Sequence, residues 1–324
     1  MEKDEERDYK QLPIDQKESR KWLRVSEHTK TCLQQAAAVV IVQDREGDIF
    51  EQFKAVADEH TFLLIRSRGD RNLQSGGKLY QQLRAAPLEG SYELKVDSDS
   101  HSKTPARKAL LEVRFAQMEL AAPKSGKYKG SSQRVYAVEA KEVSSEPALP
   151  PGVESVHWRL LTTWPVEDYE TARMIIEWYT CRWLIEQVFS LLKQEGFDIE
   201  GSELEQGWAI RKLSIMILDT IMRLLQMYLA YQMPEGEEVD INVCFDQEEQ
   251  RCLGALNSQT QGKTAALTNP HQPEGLKWAA WVIARLGGWK GYRSQRPPGL
   301  TTLSRGLCRF CQLYDGWFLL LNTT

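Results

Sequence analysis

Residues 36–42 read Ala-Ala-Ala-Val-Val-Ile-Val, and the chain turns polar at once with Gln43-Asp44. A short, uncharged run rich in β-branched residues predicts a strand buried on both faces, as in a parallel or mixed sheet covered by helices. The segments around it fit that frame. Residues 18–35 read as a helix, and Asp48 is placed to cap the helix IFEQFKAVADE that follows the strand. From residue 62 the texture changes to short alternating runs, at 62–67, 91–96, 110–120 and 134–140, separated by Gly, Ser, Pro and Lys. They predict a β-meander or small barrel inserted into the core. The Pro-rich stretch 147–152 closes this insertion. A further core strand is expected at 156–162, then one long helix from about Asp168 to Gln194, another over 205–232, and a helical C-terminal block.

Composition limits what this fold can serve. With 42% hydrophobic and 27% charged residues over 324 positions, the chain has the make-up of a soluble globular protein. It contains no run of about 18 uncharged apolar residues, so no membrane span is expected. The opening MEKDEERDYK lacks the apolar centre of a secretory signal. Six irregularly spaced cysteines fit a reducing cytoplasm. The net charge of −4 conceals blocks of opposite sign: residues 62–136 hold 14 Lys+Arg against 7 Asp+Glu, 195–250 hold 3 against 13, and 276–324 hold 7 against 1. Such basic blocks can bind a polyanion despite an acidic balance, although unevenly charged solvated surface reads the same way.

The most informative segment is Tyr179-Thr-Cys-Arg182-Trp-Leu-Ile-Glu186-Gln-Val-Phe-Ser-Leu-Leu-Lys193. On one continuous helix, Tyr179, Arg182, Glu186 and Lys193 would form a polar stripe beside an apolar face of Met174, Trp178, Ile185, Val188, Phe189 and Leu192. An ordinary amphipathic helix steadied by i,i+3 and i,i+4 pairs has the same spacing. Asp44, at the carboxyl end of its strand, lies where ligand sites gather in α/β sheets. Asp44 and Glu186 together offer two carboxylates to divalent ions of the kind that activate and stabilise oxygens in phosphoryl transfer.

The segment YTCRWLIEQVFSLLK resembles the Y-x2-R-x3-E-x6-K signature of the insertion-sequence-four family of bacterial DDE transposases. QDREGDI, HWRLLTTWPVEDYE and LKWAAWVIARLGGW resemble further segments of that family, so the resemblance runs from about residue 15 to the end. It implies an RNase H-like core, incomplete at its N-terminus, over 1–61 and 155–232. It also implies a β-rich basic insertion over 62–154 and a helical dimerisation region over 233–324. The implied activity is cut-and-paste DNA transposition with Mg²⁺ or Mn²⁺. Asp44 and Glu186 would be catalytic carboxylates and metal ligands. Tyr179, Arg182 and Lys193 would contact phosphates at transposon ends, and Trp158 would stack on a flipped base.

In the insertion, the basic stretches holding Arg66 and Arg68, and Lys103, Arg107 and Lys108, are expected to be loops touching DNA phosphates. The expected partners are transposon-end DNA and a second copy of the chain, with no membrane. Helices within 276–324 would supply the pairing surface, and Gly287-Gly288 a helix stop. The location would be the bacterial cytoplasm, at the nucleoid when DNA-bound. Two departures from the family pattern stand out. The family's first catalytic Asp has no counterpart on an earlier strand, and Ser190 replaces a basic residue. The expectation is a truncated transposase, with a non-catalytic, DNA-binding or dimerising inhibitor as the alternative.

Overall fold

A computed structural model describes residues 12–96, 105–124, 126–193, 199, 201–262, 264, 267–292 and 295–323. Lys103 and the charged segment 1–11 lie outside them. The chain divides into two compact units, Met1–Leu184 and Ile185–Thr324. The first is mixed α/β and the second is helical.

The first unit is built on one six-stranded mixed sheet. Its strands are β1 (Val39–Gln43), β2 (Thr61–Arg66), β3 (Gly90–Val96), β4 (Arg107–Ala121), β5 (Ser132–Glu146) and β6 (His157–Thr162), in spatial order β1-β2-β6-β5-β4-β3. β1 and β2 are parallel, and every other neighbouring pair is antiparallel. A parallel pair needs a crossover. The chain supplies it through a 3-10 turn at Arg45–Gly47 and helix α2 (Phe50–Ala55). Helix α1 (Arg20–Cys32) precedes β1, and α3 (Leu79–Ala85) follows β2.

Both faces of the sheet are covered. One carries Phe50, Phe53, Leu63, Ile65, Leu79 and Leu83, with Leu120, Val135 and Leu161. The other packs Leu64, Leu111, Val113, Val138 and Leu160 under helix α4 (Tyr169–Thr180). Successive β2 residues therefore feed opposite cores, which is why its apolar run is unbroken. β1 is only half-buried at Val39–Val42, short of the burial expected, because it stands at the sheet's edge with β2 on one side.

Three expectations need correction. The insertion is not a separate meander or barrel, because β3, β4 and β5 extend the same sheet through β6. The long helix is two helices, α4 and α5 (Trp183–Leu192), broken at Cys181-Arg182. The break shifts the phase: Tyr179 joins Ala172, Ile175 and Ile176 on α4's buried face instead of starting a polar stripe, while Ile185 and Phe189 are exposed. Asp48 does not cap α2. Its carboxylate accepts from the Arg68 backbone N–H and the Arg71 guanidinium, both at 2.8 Å.

In the second unit, α6 (Gly207–Gln232), α7 (Gln247–Thr260), α8 (Leu276–Leu286) and α9 (Leu300–Thr323) follow α5. Among the described residues α6 is the one helix long and apolar enough to cross a membrane. One of its faces is buried through Ile217, Ile221, Leu224 and Met227, and Asp219 and Arg223 interrupt its sequence. Every residue of α8 from Leu276 to Ala284 is buried, so this helix is a core element and not a pairing surface. Gly287 caps α8, as its sequence implied, and Gly306 of α9 presses on it so closely that a Cβ there would sit 1.8 Å from the Ile283 carbonyl.

Candidate functional site

Asp44 directly follows β1, and its side chain accepts the Arg45 backbone N–H to cap the 3-10 turn. The register sets Gln43 beside Ile65, so Asp44 leaves the sheet next to Arg66, the last residue of β2. β6 runs the other way, with Leu160 opposite Arg66, which brings its first residues, His157 and Trp158, to the same end. There Arg66 Nη2 donates to the His157 carbonyl at 3.3 Å. The carboxyl ends of the parallel pair are thus flanked by two arginines of β2 and its following loop, Arg66 and the exposed Arg68.

The start of the signature segment reaches the same place. The Trp158 ring meets that of Tyr179 edge-on, with centroids 5.7 Å apart and planes at 65°. The Arg182 guanidinium lies over the Tyr179 ring at 6.0 Å. Arg182 Nη1 stands 3.9 Å from Asp44 Oδ2, close enough for an ion pair but too long for a hydrogen bond. Residues 44, 158, 179 and 182 therefore form one connected group in the first unit. Tyr179 is 4% exposed, and its hydroxyl has no hydrogen-bond partner among the described residues. A buried orphan of this kind costs about 1–3 kcal/mol, which favours any ligand able to bond it.

Asp44 is 47% exposed at its side chain and offers the hard carboxylate oxygen that Mg²⁺ or Mn²⁺ takes. Among the described residues no three His, Cys, Asp or Glu side chains gather into a metal-holding group. Glu186 and Lys193 belong to the second unit, where both are exposed.

The basic insertion residues divide. Lys108 is exposed and paired with Glu93 at 2.9 Å. Arg107 is not in a loop. It opens β4, and its guanidinium is buried, donating through Nε and Nη2 to Glu142 at 3.2 Å each. Its place in a buried ion pair removes it from the set of phosphate contacts.

One cluster was not anticipated. Glu139 of β5 is buried, and its Oε1 accepts from Arg159 Nε at 2.9 Å and lies 2.8 Å from His157 Nε2. Arg159 stacks over the Tyr80 ring at 4.2 Å, and the Tyr80 hydroxyl is 3.1 Å from Ser67 Oγ. Burial pushes the Glu139 carboxyl up, but the bonds from His157 and Arg159 outweigh it and leave the group below its ordinary value. His157 is thus a half-buried partner of Glu139. The signal lay in two neighbouring runs, Val135-Tyr-Ala-Val-Glu139-Ala and His157-Trp-Arg159-Leu-Leu. A lone acid in an apolar strand implies a basic partner on the next strand, at the same height.

No protein-family model matches the chain.

Proposed function

We propose that the chain is a DNA-binding polypeptide of DDE-transposase type, with its phosphoryl-transfer site at the carboxyl end of β1 and an RNase H-like arrangement around it. The observation that carries this reading is the grouping of Asp44, Trp158, Tyr179 and Arg182, far apart in sequence, at one end of the sheet. In this reading Arg182 holds a phosphate of a transposon end, and the Tyr179 hydroxyl gains the partner it lacks. Trp158 offers its face to an extruded base, a contact that aromatic side chains make readily. Asp44 would hold Mg²⁺ or Mn²⁺. Bound there, the ion would activate the attacking oxygen and stabilise the leaving one.

The family pattern uses three carboxylates, and this chain matches two of them. We read the chain as a transposase polypeptide that binds transposon ends and pairs with a second copy. The test is fluorescence anisotropy with two labelled 25-base-pair duplexes, one fully paired and one with an unpaired thymine near its end. The chain should prefer the second, and Trp158→Ala should remove about tenfold of that preference, within the usual range for one base stacked on an aromatic ring. Equal affinity of the unaltered chain for both duplexes would overturn the reading.

A further inference from the structure

We propose that Arg159 is a second phosphate-binding arginine, built by this chain on the opposite face of the sheet end from Trp158, and that it takes the phosphodiester backbone of duplex DNA. The inference deepens the function proposed above and rests on the polyanion part of it.

The geometry is that of an arginine held for presentation. Of the Arg159 nitrogens only Nε is bonded to Glu139, at 2.9 Å, beside the Glu139 bond to His157. Tyr80 supports the guanidinium plane from below at 4.2 Å, and Tyr80 is itself tied by its hydroxyl to Ser67. Two of the side chain's freedoms are therefore fixed, by a carboxylate and by an aromatic face. Nη1 and Nη2 have no partner among the described residues, and the side chain keeps 24% of its surface open. A guanidinium bound through Nε keeps the N–H pair at its far end, one on each Nη, pointing away from the tether in the planar fork that matches two phosphate oxygens. Holding it beforehand lowers the ordering cost of each bond it makes.

Position argues for a polymer and against a lone anion. Successive residues of a strand face opposite sides, so His157 and Arg159 share one face of β6 while Trp158 takes the other. Ser67 N–H bonds to the Arg159 carbonyl at 2.8 Å, which fixes Arg159 beside the loop carrying Arg68. Arg66, Arg68 and Arg159 are thus spaced around the end of the β2–β6 pair, where Asp44 lies beside Arg66, Asp48 is taken up by the Arg68 N–H and Arg71, and Glu139 is drawn inward. A backbone crossing that end would meet several cations in turn, whereas a single phosphate would meet one.

The experiment measures binding of a fully paired, arbitrary 25-base-pair duplex between 50 and 300 mM KCl, by anisotropy, for the unaltered chain, Arg159→Gln and Arg159→Lys. Arg159→Gln should weaken binding severalfold at low salt and flatten the slope of log affinity against log salt by about one. Arg159→Lys should keep the slope and lose part of the affinity, because charge survives while the fork does not. A slope unchanged in Arg159→Gln overturns the proposal. If the variants fail to fold, the unaltered chain still decides: phenylglyoxal should modify Arg159 in the free protein, and the duplex should protect it, as read by mass spectrometry. Modification undiminished by saturating DNA overturns the proposal too. The two readings fail separately. Loss of the unpaired-base preference leaves Arg159 standing if the paired duplex still protects it.

Discussion

Two arginines are tied to glutamates three residues apart on β5, and they are tied differently. Arg107 gives Glu142 both Nε and Nη2, each at 3.2 Å, and Glu142 also accepts the Val156 backbone N–H at 2.7 Å. The side chains are 5% and 2% exposed. Arg159 gives Glu139 only Nε, stacks on Tyr80 and leaves its outer nitrogens without a partner among the described residues, with 24% of the side chain open. Composition alone makes the two alike, one basic residue paired with one acid of β5. The use of the fork separates them. A guanidinium closed on its carboxylate in a dry site serves folding, because nothing is left to bond a ligand. One anchored at a single nitrogen remains a binding group.

The comparison can be broken most directly at Arg107. Arg107→Ala leaves Glu142 buried without its countercharge, and such deletions cost about 3–5 kcal/mol. Urea unfolding of the first unit should show that loss, with DNA affinity per folded molecule unchanged. A cost below about 1 kcal/mol would mean the pair is not structural. The matching change Arg159→Ala should cost only about 1–2 kcal/mol, since His157 still bonds Glu139 and one hydrogen bond and one stacking contact are removed.

Acid sharpens the comparison without removing any atom. Burial raises the Glu142 carboxyl, but the Arg107 and Val156 bonds and the Arg107 charge outweigh it, leaving Glu142, like Glu139, below the ordinary value of 4.5. A carboxyl more acidic in the folded than in the unfolded chain stabilises the fold fully above its unfolded value. That contribution fades as pH falls through the lower, folded value. Melting temperature should therefore hold near neutrality and drop below about pH 4.5, the value at which an unfolded glutamate titrates. Glu142→Gln should melt lower at neutral pH and show a shallower acid limb. An acid limb unchanged in Glu142→Gln would remove the ionised pair from the account.

Much of the core was legible because the physics is local. The β-branched content of 36–42 marked β1, and α4 begins where the long helix was expected to start, capped by Asp168. Gly287-Gly288 marked the end of α8, with Gly288 taking a φ of +92°. What stayed hidden depended on partners. The alternation of 91–96 and 110–120 is the same for a small barrel as for strands added to an existing sheet, and only pairing with β6 through β5 decides. No sequence rule marked the break at Cys181-Arg182, where neither Gly nor Pro stands. The resemblance named Asp44, Trp158, Tyr179 and Arg182 among the site residues, but their contacts with one another depend on the sheet register and the α4–α5 break and were not read from sequence. The Glu139 cluster, which needs the β5–β6 register, was not reached at all.

The smallest stability effect is expected at Arg182, and there the contrast between a folding and a binding arginine is sharpest. Its guanidinium is 3.9 Å from a half-exposed Asp44 carboxylate. Water and salt screen such a pair, which is worth about 0–1 kcal/mol. Through this pair Arg182→Ala should cost at most about 1 kcal/mol in urea unfolding, while flattening the salt dependence of DNA binding by about one phosphate contact. Its loss should be greater on the duplex with an unpaired base than on the fully paired one, because Arg182 stands beside Tyr179 and Trp158 on one face of the sheet end. Arg159→Gln should weaken both duplexes alike from the other face. If Arg182→Ala instead lowers stability by several kcal/mol and spares binding per folded molecule, then Arg182 belongs with Arg107. The group at the end of β1 would in that case be a packing cluster and not a contact to DNA.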